Sequence, residues 1–324
     1  MAERTLQEIA RRIKAAKSVL IVSHMRPDGD AFGSALSLSQ ALDFLKIPNQ
    51  VCVETEIPSN LTFVKGIERV QKSPSAPYDL FVAVDCSNLQ RLGALSDEFI
   101  RAEKRKIDTI NVDHHVSNTR FAGYNYVREC ASNCMNMSKL IEYLGAPFSG
   151  MTGEYLLLGL LTDSGNFSHD DVTEETLSLA AKLVGEGADI CDYNYNLFKK
   201  QPKARAKLYA QTMSKIRYYF EERYAAIAIT KAAMEECGAD NGMTEGFVDF
   251  PLSVDSVEVA ASVMEVKNGQ YKISLRSKKY ADVNKIAGVF GGGGHVRAAG
   301  CMLFGELEEV LDRLAYAVSQ YLEE

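Results

Sequence analysis

Four short stretches of this chain carry aspartates and histidines able to bind a metal ion or move a proton. They are "SHMRPDGDAFGS" with His24, Asp28 and Asp30, "DLFVAVD" ending in Asp85, "NVDHHVSN" with Asp113, His114 and His115, and "LLTDSGNF" with Asp163. The chain has five histidines, so the adjacent pair is a concentration of a scarce residue. Of the other two, His169 lies just past Asp163 and His295 closes a run of glycines. Taken singly, each residue has an ordinary structural role. Asp28 and Asp30 can shape a Pro-Asp-Gly turn, Asp85 and Asp163 can cap helices, His24 can be a satisfied core histidine, and the paired histidines can belong to a polar turn. Those roles leave the joint distribution unexplained. Converging carboxylates repel one another unless cations neutralise them, and a mixed imidazole and carboxylate set suits Mn²⁺, Zn²⁺, Fe²⁺ or Co²⁺ better than Ca²⁺.

Such residues act together only if the fold brings them together. "SVLIVS" (18–23), "QVCVE" (50–54), "DLFVAVD" (79–85) and "DTINVD" (108–113) are short, rich in β-branched residues and bounded by turn residues, the pattern of buried parallel strands. Helical patterns follow Asp30 and run over 134–144, 153–161 and 174–185. The fold class is therefore α/β, with a doubly wound, mainly parallel sheet at the N-terminus. In such sheets ligands bind outside the carboxyl ends of the strands, where these aspartates and histidines fall.

The pattern changes after residue 190. A polar helical segment, 191–206, with Pro202 and a basic run, reads as a linker between an N-terminal domain of 1–190 and a C-terminal domain of 207–324. Beyond it, "RYAAIAI", "EVAASVMEV" and "QYKISLRS" alternate as strands, the last two joined by an Asn268-Gly269 turn. Helices near 283–289 and 306–322 complete a smaller α+β domain, with a cleft expected between the two domains.

Composition narrows the function classes. A formal net charge of −7 argues against a long duplex nucleic acid as partner, because neutralising phosphates takes a concentrated surplus of Lys and Arg. It leaves room for a short nucleotide ligand. Seven cysteines without any C-x-x-C argue against a disulfide framework or a zinc ribbon. "YLLLGLL" is far too short to cross a bilayer and the first residues are amphipathic, so a cytoplasmic protein with no membrane partner is expected.

In this order and over essentially the whole chain, "SHMRPDGDAFGS", Asp85, "VDHH", "TDSGNF" and "GGGGHVRAAG" resemble the DHH phosphoesterase superfamily with its DHH-associated C-terminal domain. Compact size and the "GGGGH" signature are most similar to the bacterial nano-RNase branch, which degrades very short RNAs and dephosphorylates pAp. The resemblance implies two divalent metal ions, Mn²⁺ first, with Mg²⁺, Co²⁺ or Zn²⁺ as alternatives. His24 and Asp28 would belong to one ion and Asp30, His114 and Asp163 to the other, with Asp85 shared. Adjacent residues leaving an extended strand point in opposite directions. His114 is then the expected ligand, His115 the donor to phosphate, and Asp113 the residue that orients the pair. Two ions about 3.5–4 Å apart activate a water and neutralise the charge developing on phosphorus.

The same resemblance assigns substrate binding to the C-terminal domain. Gly291, Gly292, Gly293 and Gly294 let backbone N–H groups approach a phosphate, His295 adds a donor when protonated, and Arg276 matches a phosphate-binding arginine of the family. Arg297 is a further basic residue of the same loop, and the base-stacking residue is left open among Phe167, Phe290 and the tyrosines. "NFSHDDVT" departs from the more basic or aromatic stretch common in the family. The expected function is a two-metal phosphodiesterase and phosphatase, exonucleolytic on very short single-stranded RNA and active on pAp; a homodimer is left open. The alternatives are cleavage of cyclic or linear dinucleotides and, disfavoured because every presumed ligand is present, a non-catalytic nucleotide sensor.

Overall fold

The computed structural model describes residues 5–322, which divide into two compact units between Lys200 and Gln201. In the first unit, α1 (Leu6–Ala15) starts at a Thr5–Glu8 capping box and buries Leu6, Ile9, Ala10 and Ile13. It is followed by β1 (Val19–Val22), α2 (Gly29–Phe44), β2 (Asn49–Cys52), β3 (Leu80–Val84), α3 (Leu95–Lys104), β4 (Asp108–Asp113) and β5 (Tyr124–Val127). Then come α4 (Asn133–Leu144), α5 (Met151–Asp163), α6 (Glu174–Gly185) and α7 (Ile190–Asn194).

The strands form one parallel sheet in the order β2-β1-β3-β4-β5. Side chains of a strand alternate between faces, so β1 sends Val19 and Ile21 into the core under α1, α2, α4 and α5, and Leu20 and Val22 into a second core under α3. Burial on both faces explains the unbroken apolar runs. The chain passes from β1 to β2 on one side and then to β3 on the other, so the topological switch, and the ligand crevice, lie at the carboxyl ends of β1 and β3. Beneath that point α2, α4 and α5 pack closely. A Cβ on Gly159 would come within 2.4 Å of Cys134 Sγ and 2.5 Å of Asp30 Oδ1, so α5 can cross there only with glycine.

Two local expectations differ from what forms. The fifth strand, β5, went unread because "YNYV" is short and half polar. The helical run expected from 191 is interrupted: α7 widens into a π turn over Tyr195–Lys199, and α8 (Lys203–Met213) begins afresh after Pro202, whose ring and missing N–H forbid an unbroken helix.

The second unit contains α8, β6 (Arg217–Tyr219), β7 (Tyr224–Ile229), α9 (Lys231–Cys237), α10 (Asp249–Ser253), β8 (Val259–Lys267), β9 (Gln270–Ser277), α11 (Val283–Val289), β10 (Gly293–His295), β11 (Ala298–Phe304) and α12 (Leu307–Ser319). Its sheet runs β10-β11-β9-β8-β7-β6, with only β7 and β8 parallel. The Asn268-Gly269 turn joins β8 to β9, with Gly269 at φ 67°. Tyr271, Ile273 and Leu275 of β9 face the core under α11 and α12, which leaves Lys272, Ser274 and Arg276 on the other face. Among the described residues no helix is long and apolar enough to cross a membrane.

Candidate metal centre

His24 follows β1 and is almost fully buried. Its Nδ1 lies 2.9 Å from the Met25 carbonyl, to which it donates, and this leaves the Nε2 lone pair facing inward. There Nε2 stands 3.4 Å from Asp85 Oδ2 and 3.9 Å from Asp28 Oδ2 and makes no hydrogen bond. Asp28 caps α2, its Oδ1 accepting the N–H groups of Asp30 and Ala31 at 3.0 Å.

Asp85 is the first residue past β3. It sits in the left-handed region at φ 51°, strain of order 1–3 kcal/mol that packed surroundings must hold in place. The turn aims its carboxylate between two imidazoles: Oδ2 faces His24, while Oδ1, buried and without a hydrogen bond, is 3.5 Å from His114 Nε2.

Asp30, expected in a loop, lies in the first turn of α2 and is fully buried. The start of α4 holds it: Ser132 Oγ donates at 2.7 Å, and the backbone N–H groups of Asn133 and Cys134 at 2.6 and 3.0 Å. His114 repeats the arrangement of His24. Its Nδ1 donates to the Cys130 carbonyl at 2.8 Å, and its Nε2 faces Asp163 Oδ2 at 3.4 Å, Asp85 Oδ1 at 3.5 Å and Asp30 Oδ2 at 3.9 Å. Asp163 ends α5.

Burial and like charge at such close quarters perturb these groups strongly. Burial, then the charges of Asp30, Asp85 and Asp28, push the Asp163 carboxyl up to about 10. Burial alone would lower His114, but Asp85 and Asp30 outweigh it and push the imidazole up to about 11. Asp85 is pushed up by burial and held well below the usual carboxylate range by His114 and His24. Without another cation the cluster must keep protons to stay together. Two sets of donor atoms each lie within 4.8 Å of one another, His24 with Asp28 and Asp85, and Asp30 with His114 and Asp163; Asp85 also groups with Asp113, His114 and His115. Two inward-facing imidazole nitrogens, clustered carboxylates and a buried carboxylate oxygen without a partner make a donor set that could hold metal ions.

The paired histidines differ from the expected geometry. β4 stops at Asp113, so the rings do not point to opposite sides; they meet edge to face with centroids 4.6 Å apart. Asp113 orients only His115: its Oδ1 accepts from His115 Nδ1 at 2.8 Å and its Oδ2 from Asn118 Nδ2 at 2.6 Å.

Residues 18–179, which hold the whole cluster, match the DHH family, N-terminal domain, and residues 225–324 match the DHHA1 domain. The chain belongs to the DHH family. It is 31% identical, over 97% of its length and 93% of the relative's, to the bifunctional oligoribonuclease and PAP phosphatase NrnA of Thermus thermophilus. A probable bifunctional oligoribonuclease and PAP phosphatase NrnA of Streptococcus mutans is 26% identical over 90% of this chain and 91% of that one. The crystal structure of an exopolyphosphatase-related protein from Bacteroides fragilis superposes with TM-score 0.81 at 27% identity, covering 98% of this chain and 96% of the other. The expected phosphoesterase class and α/β fold hold for this DHH-family chain.

In the DHHA1 region, β10 gives the glycine run a fixed conformation. His295 pairs with Ala298 across β10 and β11, and Ala298 pairs with Arg276 across β11 and β9. Directly opposed residues share a face, so Arg276 and His295 stand on one side of the sheet, roughly 10 Å apart by strand spacing, with a small side chain between them. Arg276 also lines a cavity of about 600 Å³ with Lys272, Ser274 and Ser262. Arg297 is engaged otherwise: its guanidinium donates to the Ala281 carbonyl at 2.8 Å and to Ser277 Oγ. His169 donates from Nδ1 to the Asp163 carbonyl at 2.7 Å, beside the cluster but outside both donor sets.

Two contributors had gone unread in the sequence. One is the α4 N-terminus around Asp30. The other is Arg91, whose Nη1 lies 3.3 Å from His115 Nε2. "DCSNLQRLG" has no motif to mark it; the available signal was a basic residue shortly past a strand end at the switch point.

Proposed function

We propose that this DHH-family chain is a metal-dependent phosphodiesterase and phosphatase of the cytoplasm that hydrolyses very short oligoribonucleotides to mononucleotides and dephosphorylates pAp. The observation that carries this reading is the shared position of Asp85, with one carboxylate oxygen toward each inward-facing imidazole. His24, Asp28 and Asp85 would hold one divalent cation, and Asp30, His114, Asp163 and Asp85 the other; the donor types suit Mn²⁺, Zn²⁺, Fe²⁺ or Co²⁺, and the family resemblance puts Mn²⁺ first. Bound there, the cations would supply positive charge to the phosphoryl group and make a water nucleophilic near neutral pH. The chain's own residues orient the rest. The Met25 and Cys130 carbonyls fix the histidine tautomers, and the α4 N-terminus keeps Asp30 in place.

The second substrate anchor is assigned to the DHHA1 region, supported by Arg276 and His295 on one sheet face; in the 291–294 run the N–H groups of Gly291, Gly292 and Gly294 already donate to the Gly288 and Ala287 carbonyls and to Asn284 Oδ1. The names of the relatives at 31% and 26% identity support the substrate class. The net charge of −7 supports short substrates, since it leaves little basic track for a long strand. The decisive assay is a product profile with Mn²⁺ on pAp, a 5′-labelled dinucleotide, an RNA of about 24 nucleotides and a cyclic dinucleotide. Turnover of the first two well above the others supports the reading. Preference for the cyclic dinucleotide would replace it with the cyclic-dinucleotide alternative.

A further inference from the structure

We propose that Arg91 is the residue that grips the scissile phosphate, and that Asp113 and His115 act through it as positioning residues. This rests on the phosphoesterase reading above and differs from the expectation that His115 itself meets the phosphate.

The hydrogen bonds fix the direction of the relay. Asp113 is fully buried at the end of β4, one carboxylate oxygen taken by Asn118 and the other by His115 Nδ1. A carboxylate oxygen accepts, so His115 Nδ1 donates to Asp113 Oδ1. A guanidinium only donates, so His115 Nε2 accepts from Arg91 at 3.3 Å. Both ring nitrogens of His115 thus have partners, Asp113 at Nδ1 and Arg91 at Nε2, whereas Arg91 has donors to spare. A guanidinium carries five N–H donors in a planar fork, and only one is directed at His115. Among the described residues no carboxylate pairs with this guanidinium.

The backbone of Arg91 is held from both loops that flank the switch point. Asn88 Oδ1 accepts its N–H at 3.0 Å, within the short helical turn Leu89–Leu92 that follows Asp85, and its carbonyl accepts the Met25 N–H at 2.7 Å, beside His24. His115 Nδ1 in turn lies 3.6 Å from Asp85 Oδ1, so the guanidinium is anchored one ring away from the donor cluster. A bidentate fork fits two non-bridging oxygens of a phosphate. Such a preorganised positive group acts on the charge of the transition state.

The test is a double-mutant cycle, with Mn²⁺ and two substrates, a 5′-labelled dinucleotide and the generic diester bis(4-nitrophenyl) phosphate. Arg91→Ala is expected to lower kcat by about 10²–10³, the loss typical of removing one preorganised donor. His115→Ala should lower it less, and adding His115→Ala to Arg91→Ala should change little further, because the relay then has nothing to position. Added guanidinium ion should partly restore Arg91→Ala, and Arg91→Lys should recover only part of the rate, having charge without the fork. The Mn²⁺-dependent rise in melting temperature should survive in both single variants. Losses that multiply in the double variant would show His115 acting on its own and overturn the proposal. So would wild-type turnover in Arg91→Ala, or loss of its Mn²⁺-dependent melting shift. A wild type that cleaves the generic diester but no dinucleotide would sink the proposed substrate class and leave the cycle for Arg91 intact.

Discussion

Asp85→Asn is the perturbation that asks most of the metal-site geometry. The wild-type carboxylate is 2% exposed, sits at φ 51°, and has one oxygen with no hydrogen bond. A buried polar atom left unsatisfied costs about 1–3 kcal/mol, and His24 Nε2 is in the same condition. Each deficit belongs to a different donor set, since Asp85 Oδ2 faces His24 and Oδ1 faces His114, so a cation in the first set would relieve His24 Nε2 and one in the second Asp85 Oδ1. With free Mn²⁺ about a hundredfold above Kd, each occupied site adds about 2.7 kcal/mol to the folded state. For a unit of about 150–250 residues, 1 kcal/mol moves Tm by about 2–4 °C, so each site raises Tm by about 5–11 °C and two sites by about twice that. An asparagine keeps the shape but offers one neutral oxygen in place of two charged ones, and both donor sets weaken together.

The assay is thermal unfolding of wild type and variant, each chelated and then titrated with Mn²⁺. The wild type should gain about 10–20 °C, and Asp85→Asn less than about 3 °C, with turnover down by several orders of magnitude. His169→Ala, whose imidazole donates to the Asp163 carbonyl and lies outside both donor sets, should keep most of the gain. An equal Mn²⁺-dependent gain in wild type and Asp85→Asn would refute the shared-ligand reasoning, because no site built around Asp85 could then be the one that fills.

The remaining expectations concern the histidines, proton occupancy and substrate length. His114→Ala should lower the Mn²⁺ content measured by elemental analysis, whereas His115→Ala should leave the metal bound and slow turnover; the reverse pattern would reassign the pair. In the chelated protein Asp163, pushed up to about 10, binds a proton that the unfolded chain releases near 4, and His114, pushed up to about 11, holds one released near 6.5 on unfolding. Both contributions stabilise the fold at low pH and fade as pH rises, so chelated Tm should fall between about pH 7 and 9 and the Mn²⁺-loaded protein should lose this slope; a flat chelated profile would count against the crowded cluster. RNAs of about two to five nucleotides should be cleaved much faster than one of about 24, and Arg276→Ala should narrow that gap by slowing the short ones about 10–100-fold, the worth of a charged hydrogen bond to phosphate. Comparable wild-type rates on both lengths would remove the terminal anchor.

What the sequence carried was periodicity and punctuation. The alternation of "SVLIVS" and "DLFVAVD" between two cores follows from strand geometry, so the sheet and the crevice at its carboxyl ends were legible from residue types alone. What it did not carry was the direction of side chains once regular structure stops. His114 and His115 leave β4 at its last residue, where the strand rule of opposite faces lapses, and their rings come together instead. Asp30 looked like a loop residue because capping by Asp28 starts α2 two residues earlier than its apolar pattern does.

Arg91 marks the deeper boundary. Its position depends on three contacts that pattern cannot register: a cap by Asn88, a carbonyl shared with Met25, and an imidazole turned toward it by a buried aspartate. None has a period, and each spans a different stretch of chain. The strain points the same way, since an aspartate at φ 51° at the end of a parallel strand disagrees with local preference and persists only where its surroundings over-determine it. Local rules thus place the scaffold, and they fail at the residues where the chemistry is set. A conflict of that kind, such as Asp85 in the left-handed region beside two inward-facing imidazoles, is a positive sign of the site. Substituting Asp85 by glycine would test it directly. That change should relieve the backbone strain and raise the Tm of the chelated protein relative to Asp85→Ala, while abolishing the Mn²⁺-dependent gain in both. Glycine and alanine variants of equal chelated stability would mean that the left-handed turn stores no strain at all.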